Sequence, residues 1–72
     1  MLEAPWTEQQ VENLNRWQAA GHVHEYTCPN EHEGSRVLEA RTDGWHCPGC
    51  PYTQTWAYES TMNGPPPLQF RM

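Results

Sequence analysis

The chain has 72 residues and a net charge of −5, and its four cations are all arginines set among nine carboxylates, so the clustered basic surface that duplex DNA demands is missing. Its three cysteines cannot all pair internally, no apolar run near the N-terminus resembles a signal peptide, and no stretch suits a bilayer, which together imply a reducing cytoplasm and thiols kept as metal ligands. About sixty residues remain once the proline-rich ending is set aside, a size at which burial alone is marginal and a metal staple is expected.

The first predicted element is a helix over about residues 7–20. Thr7 supplies the N-cap, Gln10 completes a capping box, and Trp6 staples onto Val11. Val11, Leu14 and Trp17 then recur at helical spacing, Glu8, Glu12 and Arg16 take the wet side, and Gly21 offers the left-handed stop. The stretch HVHEYTC, residues 22–28, reads as a strand. RVLEARTDGWHC reads as a hairpin turning at Asp43-Gly44, where positive φ is tolerated. In YTQTWAY, Tyr52, Gln54 and Trp56 share one face of a further strand, with Thr53 and Thr55 opposite, and a helix from about Ala57 is weakly patterned. Residues 1–63 thus form a single domain, and Asn63-Gly64 followed by three prolines opens a disordered, Pro-rich tail over 64–72.

The chemistry concentrates in residues 28–50. Cys47-Pro48-Gly49-Cys50 is a tight turn that presents two thiolates to one ion, with Pro48 fixing φ and Gly49 permitting the bend. Upstream, Cys28-Pro29-Asn30-Glu31-His32 offers a thiolate and an imidazole. The pattern Cys-x3-His-x14-Cys-x2-Cys has the ligand count and softness of one closed, structural Zn2+ site made by Cys28, His32, Cys47 and Cys50. Iron in the same donor set is chemically allowed, whereas an iron–sulfur cluster would want a fourth cysteine.

Three other histidines compete for the fourth position. His46 directly precedes Cys47, so in a strand it faces the other way. His24 stands about 13 Å from Cys28 along an extended strand, which makes it the alternative ligand only if the chain bends. His22 reads as an ordinary surface histidine, and any of these three can hydrogen-bond a ligand or a backbone carbonyl. Four protein ligands leave no position for water, and neither a nucleophile elbow, a phosphate loop nor a deaminase motif is present, so no catalytic residue is assigned and an enzyme is not expected. The four tryptophans, Trp6, Trp17, Trp45 and Trp56, read first as core mass.

Read together, VENLNRWQ, HEYTCPNEH and DGWHCPGCPYTQTWA resemble a group of uncharacterised short zinc-ribbon-like proteins of phages, prophages and some bacteria. The likeness covers about residues 11–57: a helix bearing Leu-Asn-x2-Gln, a histidine four before the first cysteine, a Gly-Trp-x-Cys strand, then Tyr-Thr-Gln-x-Trp. It implies zinc binding and a phage or prophage origin, hence the cytoplasm of a bacterial host, gives some weight to His24, and carries no reaction with it. Pro51 stands where zinc knuckles commonly place glycine, and it has no N–H to offer a sulfur.

The expected architecture is therefore a small α+β metal-bound domain, with an N-terminal helix packed on an antiparallel zinc-ribbon-like sheet. The expected role is a zinc-stabilised protein-interaction module, an acidic factor that meets a host or viral protein. Two alternatives stand beside it. One is a zinc ribbon that binds single-stranded nucleic acid through Arg36, Arg41 and Trp45 or Tyr52; the other is a thiol redox protein working through Cys47 and Cys50.

Overall fold

The computed structural model describes residues 1–66, so the part of the expected tail from Pro67 to Met72 lies outside the described residues. Helix α1 spans Glu8–Ala19. Its first turn is closed reciprocally, the Gln10 amide N–H donating to Thr7 Oγ1 at 3.1 Å and the Thr7 N–H to Gln10 Oε1 at 2.8 Å. Gly21 lies beyond the end at φ +79°, the left-handed region in which only glycine is unstrained. Leu14 is fully buried, Val11 packs on the cluster that contains Trp6, and Glu8, Glu12 and Arg16 are exposed.

Among the described residues five short strands, β1 Leu2–Glu3, β2 Glu39–Arg41, β3 Gly44–His46, β4 Thr53–Gln54 and β5 Trp56–Ala57, form two antiparallel sheets, so the fold is a small α+β one. The order β2-β3-β4 makes one sheet, and β1 pairs with β5 in the other, Leu2 opposite Ala57. The run from Tyr52 to Ala57 keeps its expected alternation: Tyr52, Gln54 and Trp56 are half-buried, while Thr53 and Thr55 are exposed. It changes sheets at Thr55, whose carbonyl accepts the Ala4 N–H at 2.7 Å.

Three local expectations are revised. The β2–β3 turn is Thr42-Asp43 rather than Asp43-Gly44, because Arg41 pairs with Gly44. Gly44 instead opens β3 at φ +130°, where a Cβ would come within 2.6 Å of the Gln54 carbonyl oxygen, so glycine is required by the approach of β4. Residues 22–28 make no strand beyond the single bridge between Thr27 and Val37. After β5 a short 3-10 helix, Glu59–Thr61, stands where an α-helix was weakly patterned.

Side-chain amides of α1 replace much of the missing ladder. Asn15 donates to and accepts from the Ala40 backbone at 3.1 and 2.9 Å, which satisfies the open edge of β2. Gln18 accepts the Tyr26 N–H at 2.8 Å and donates to the Tyr26 and Leu38 carbonyls at 2.7 and 2.8 Å. The helix is thus fastened to the sheet by polar groups beside a narrow apolar stripe.

Trp6, Leu14, Leu38, Ala40, Trp45, Ala57 and Met62 make the core together with Cys28 and Cys47. Trp45 has no exposed surface; Tyr26 stacks on it at 4.5 Å and Trp6 meets it edge-on at 5.7 Å. Neither the Trp6 nor the Trp45 indole N–H finds a partner among the described residues. Burying an indole of roughly 200 Å² stabilises by about 5 kcal/mol, which exceeds the roughly 1–3 kcal/mol lost on an unmet donor.

Candidate metal centre

Two loops, each closed at its base, bring four donors to the edge of this core. The first runs from Cys28 to Arg36. The Cys28 N–H donates to the Arg36 carbonyl at 2.7 Å, and the Arg36 guanidinium returns two bonds, from Nε and Nη2, to the Cys28 carbonyl at 3.1 and 2.7 Å. The second is the β3–β4 connection, closed by the Cys47 N–H on the Tyr52 carbonyl at 3.1 Å.

The donor atoms of Cys28, His32, Cys47 and Cys50 all lie within 4.8 Å of one another. Cys28 Sγ is 3.5 Å from Cys50 Sγ, and His32 Nε2 is 3.2 Å from Cys47 Sγ. A tetrahedral zinc with bonds of about 2.3 Å to sulfur and 2.0 Å to nitrogen has edges of roughly 3.5–3.8 Å, so these separations suit one shared ion. All three cysteines are free thiols. The donor chemistry agrees, since three thiols and one imidazole favour a soft or borderline metal over calcium or magnesium.

The residues around the donors orient them. His32 directs Nδ1 to the Glu33 carbonyl at 2.8 Å, which fixes the ring and leaves Nε2 toward the sulfurs. A Cβ on Gly49 would come within 2.6 Å of His32 Cε1, so glycine in the Cys-Pro-Gly-Cys turn admits the imidazole as well as the bend. The Asn30 side-chain amide approaches Cys50 Sγ at 3.6 Å, giving that sulfur a donor that does not depend on Pro51.

The thiols divide electrostatically. Burial pushes the Cys28 thiol up, and contacts with Cys50 and Cys47 add to this against the Asn30 N–H. Burial opposes ionisation of Cys47 too, but N–H groups of Gly49 and Cys50 and the neighbouring thiols bring it below the usual thiol value. Cys47 therefore ionises more readily than Cys28, and a divalent cation would offset the burial that disfavours the Cys28 thiolate.

The other histidines stand apart from this group. His24 is exposed, and its carbonyl accepts the Trp17 Nε1–H at 3.0 Å. His46 turns to Asp43, with Nε2 2.7 Å from Oδ1, and is not part of the four-donor group. His22 bonds the carbonyls of Ala20 and Pro66 at 3.2 and 2.6 Å. Sequence reasoning had missed Asn30, the Arg36 clamp and the second role of Gly49. An amide two residues after a cysteine was the one signal available for the first; the other two depend on long-range approach.

Comparison with protein-family models, curated proteins and solved structures returned no match to this chain. Among the described residues no helix is long and apolar enough to cross a membrane.

Proposed function

We propose that the chain is a zinc-stabilised protein-interaction module, a zinc-ribbon-like domain in which Cys28, His32, Cys47 and Cys50 hold one structural Zn2+. The observation that carries the zinc half is the convergence of four soft donors, fixed by hydrogen bonds, at the edge of a small core. Four protein ligands complete a tetrahedron, so the ion supplies folding energy and leaves no open position for substrate. His32 is preferred to His24 because its Nε2 points at Cys47 while the His24 backbone is tied to Trp17. The proposed setting, a phage-encoded factor in a bacterial cytoplasm, rests on the sequence likeness alone.

The interaction half is supported by aromatic surface. Trp17, Tyr26, Trp56 and Tyr58 line one groove, and Tyr58 is 55% exposed. The single-strand nucleic-acid alternative is weakened at its own residues. Trp45 is wholly buried, Arg36 is engaged with the Cys28 carbonyl, and Arg41 pairs with Glu39 at 3.3 Å.

Replacement of the metal by Co2+ tests the site directly. Thiolate-to-cobalt charge transfer with strong tetrahedral d–d bands, at one equivalent, is expected for the wild type, and a weakened spectrum for His32→Ala but an unchanged one for His24→Ala. Weak octahedral bands, or sensitivity to His24 in place of His32, would contradict the assignment. A reversible Cys47–Cys50 disulfide formed in zinc-replete buffer would instead favour thiol redox chemistry.

A further inference from the structure

The aromatic groove is a cavity of about 420 Å³ away from the cysteines, between Trp17 of α1, residues 24–27 and the chain from Gln54 to Thr61. Its walls are held in place. The Trp17 indole donates to the His24 carbonyl at 3.0 Å; Tyr26 is stacked on Trp45, with its hydroxyl 3.1 Å from Thr61 Oγ1 and accepting the Tyr58 N–H at 2.9 Å. Trp56 and Tyr58 stand nearly perpendicular, at 79° with centroids 5.4 Å apart, and form a corner of two π surfaces.

The charge and hydrogen-bonding character of the lining narrows the ligand. Among the described residues Glu25 is the one carboxylate in the lining, no arginine lines the groove, His24 is the lining group that can become cationic, and Glu25 meets no cation within 4 Å. Aromatic faces are negative at their centres, so a cation is favoured twice, by the rings and by the carboxylate. Four side chains of the lining, those of Trp17, Tyr26, Gln54 and Thr61, are already engaged within the fold, whereas Glu25, His24 and the hydroxyls of Thr27, Tyr58 and Ser60 meet no side-chain partner among the described residues. Gln54 accepts from Tyr52 and donates to the Trp56 carbonyl, and Thr61 donates to the Tyr58 carbonyl at 2.6 Å. A methylated ammonium carries no N–H that must be matched, so it gives up less hydration than an ordinary ammonium on leaving water for the aromatic faces, while Glu25 still attracts its charge.

We propose that this groove binds a trimethylammonium group, presented by a trimethylated lysine of a partner protein. The choice of a protein as its source rests on the interaction-module reading above; the choice of the group rests on the groove itself.

The test uses the zinc-loaded full chain at pH 8 and follows the indole N–H signals by NMR. Four probes are titrated: a short peptide bearing trimethyllysine, the same peptide with the neutral tert-butyl isostere, the same peptide with unmodified lysine, and free choline. The trimethyllysine peptide is expected to shift Trp17 and Trp56 but not Trp45, and to bind at least about tenfold more tightly than either peptide control, as cation–π attraction over several rings provides. Tyr58→Leu, which keeps apolar area and removes a π face, and Glu25→Gln should each weaken it by roughly threefold or more. Equal affinity for the neutral isostere, or no binding by the trimethyllysine peptide, overturns the proposal. Tighter binding of choline than of the peptide overturns a protein as the source. Zinc content and the unshifted Trp45 signal report the metal site separately, so loss of the groove's activity is distinguishable from failure of the fold.

Discussion

The cysteine corner and the aromatic groove adjoin in the chain at Thr27 and Cys28, yet opposite means hold them. The corner has almost no regular structure; turns, an arginine clamp and convergent donors define it. The groove is built from pieces of helix, bridge, strand and 3-10 helix, and interlocking aromatic and amide contacts set it. In the proposed reading one region depends on an ion for its stability, and the other is stable to the extent that the scaffold between them is. That scaffold is Trp45, touched by Tyr26 from the groove side and lying two residues before Cys47.

The largest expected effect on this comparison is removal of the proposed metal. A structural zinc contributes roughly 10–16 kcal/mol in small domains against total stabilities of about 5–15, so chelation or Cys28→Ser should unfold both regions together. Tryptophan fluorescence and near-UV circular dichroism would register it; a groove that survived chelation would show that the scaffold stands alone. Trp45→Ala comes next, at about 3–5 kcal/mol in thermal or denaturant unfolding of the zinc-bound protein. Gln18→Ala, which strips donors and an acceptor from Tyr26 and Leu38, should cost about 1–3 kcal/mol. It should loosen the groove while leaving cobalt spectra unchanged. Thr7→Ala, which belongs to neither region, should cost about 1 kcal/mol through the lost helix cap.

A smaller effect concerns Asp43. The hydrogen bond from His46, first among the causes that lower it, holds its carboxyl below the usual value. Because the folded value is depressed, its contribution is present above the ordinary aspartate range and fades as pH falls through the lower folded value. A carbon NMR titration of Asp43 should therefore show a midpoint below about 4, returning upward in His46→Ala.

The contrast also separates what could be read in the sequence from what could not. Cys28, His32, Cys47 and Cys50 were legible because short spacing and turn residues encode local geometry, and helix α1 was legible because Thr7, Gln10 and Gly21 mark its ends. The pairing of β1 with β5 was not, since two residues of strand carry no periodicity and their partner is more than fifty positions away. The division of the four tryptophans into two core rings and two groove rings depended on packing. Asn15 and Gln18 had no role that the sequence could show, and only the open edge of β2 and a Tyr26 N–H that no backbone carbonyl accepts explain them. The strand expected over 22–28 is reduced to the bridge at Thr27, where the Tyr26 carbonyl and Cys28 N–H pair with Leu38 and Arg36 while Gln18 takes the Tyr26 N–H.

Native mass spectrometry of the full chain, before and after a strong chelator, tests the central claim most directly. One zinc ion per chain with a narrow, low charge-state distribution is predicted, changing to metal-free protein with a broad, high distribution once the ion is withdrawn. A chain isolated from zinc-replete cells with no metal, or one that keeps the compact distribution after complete metal removal, would contradict it.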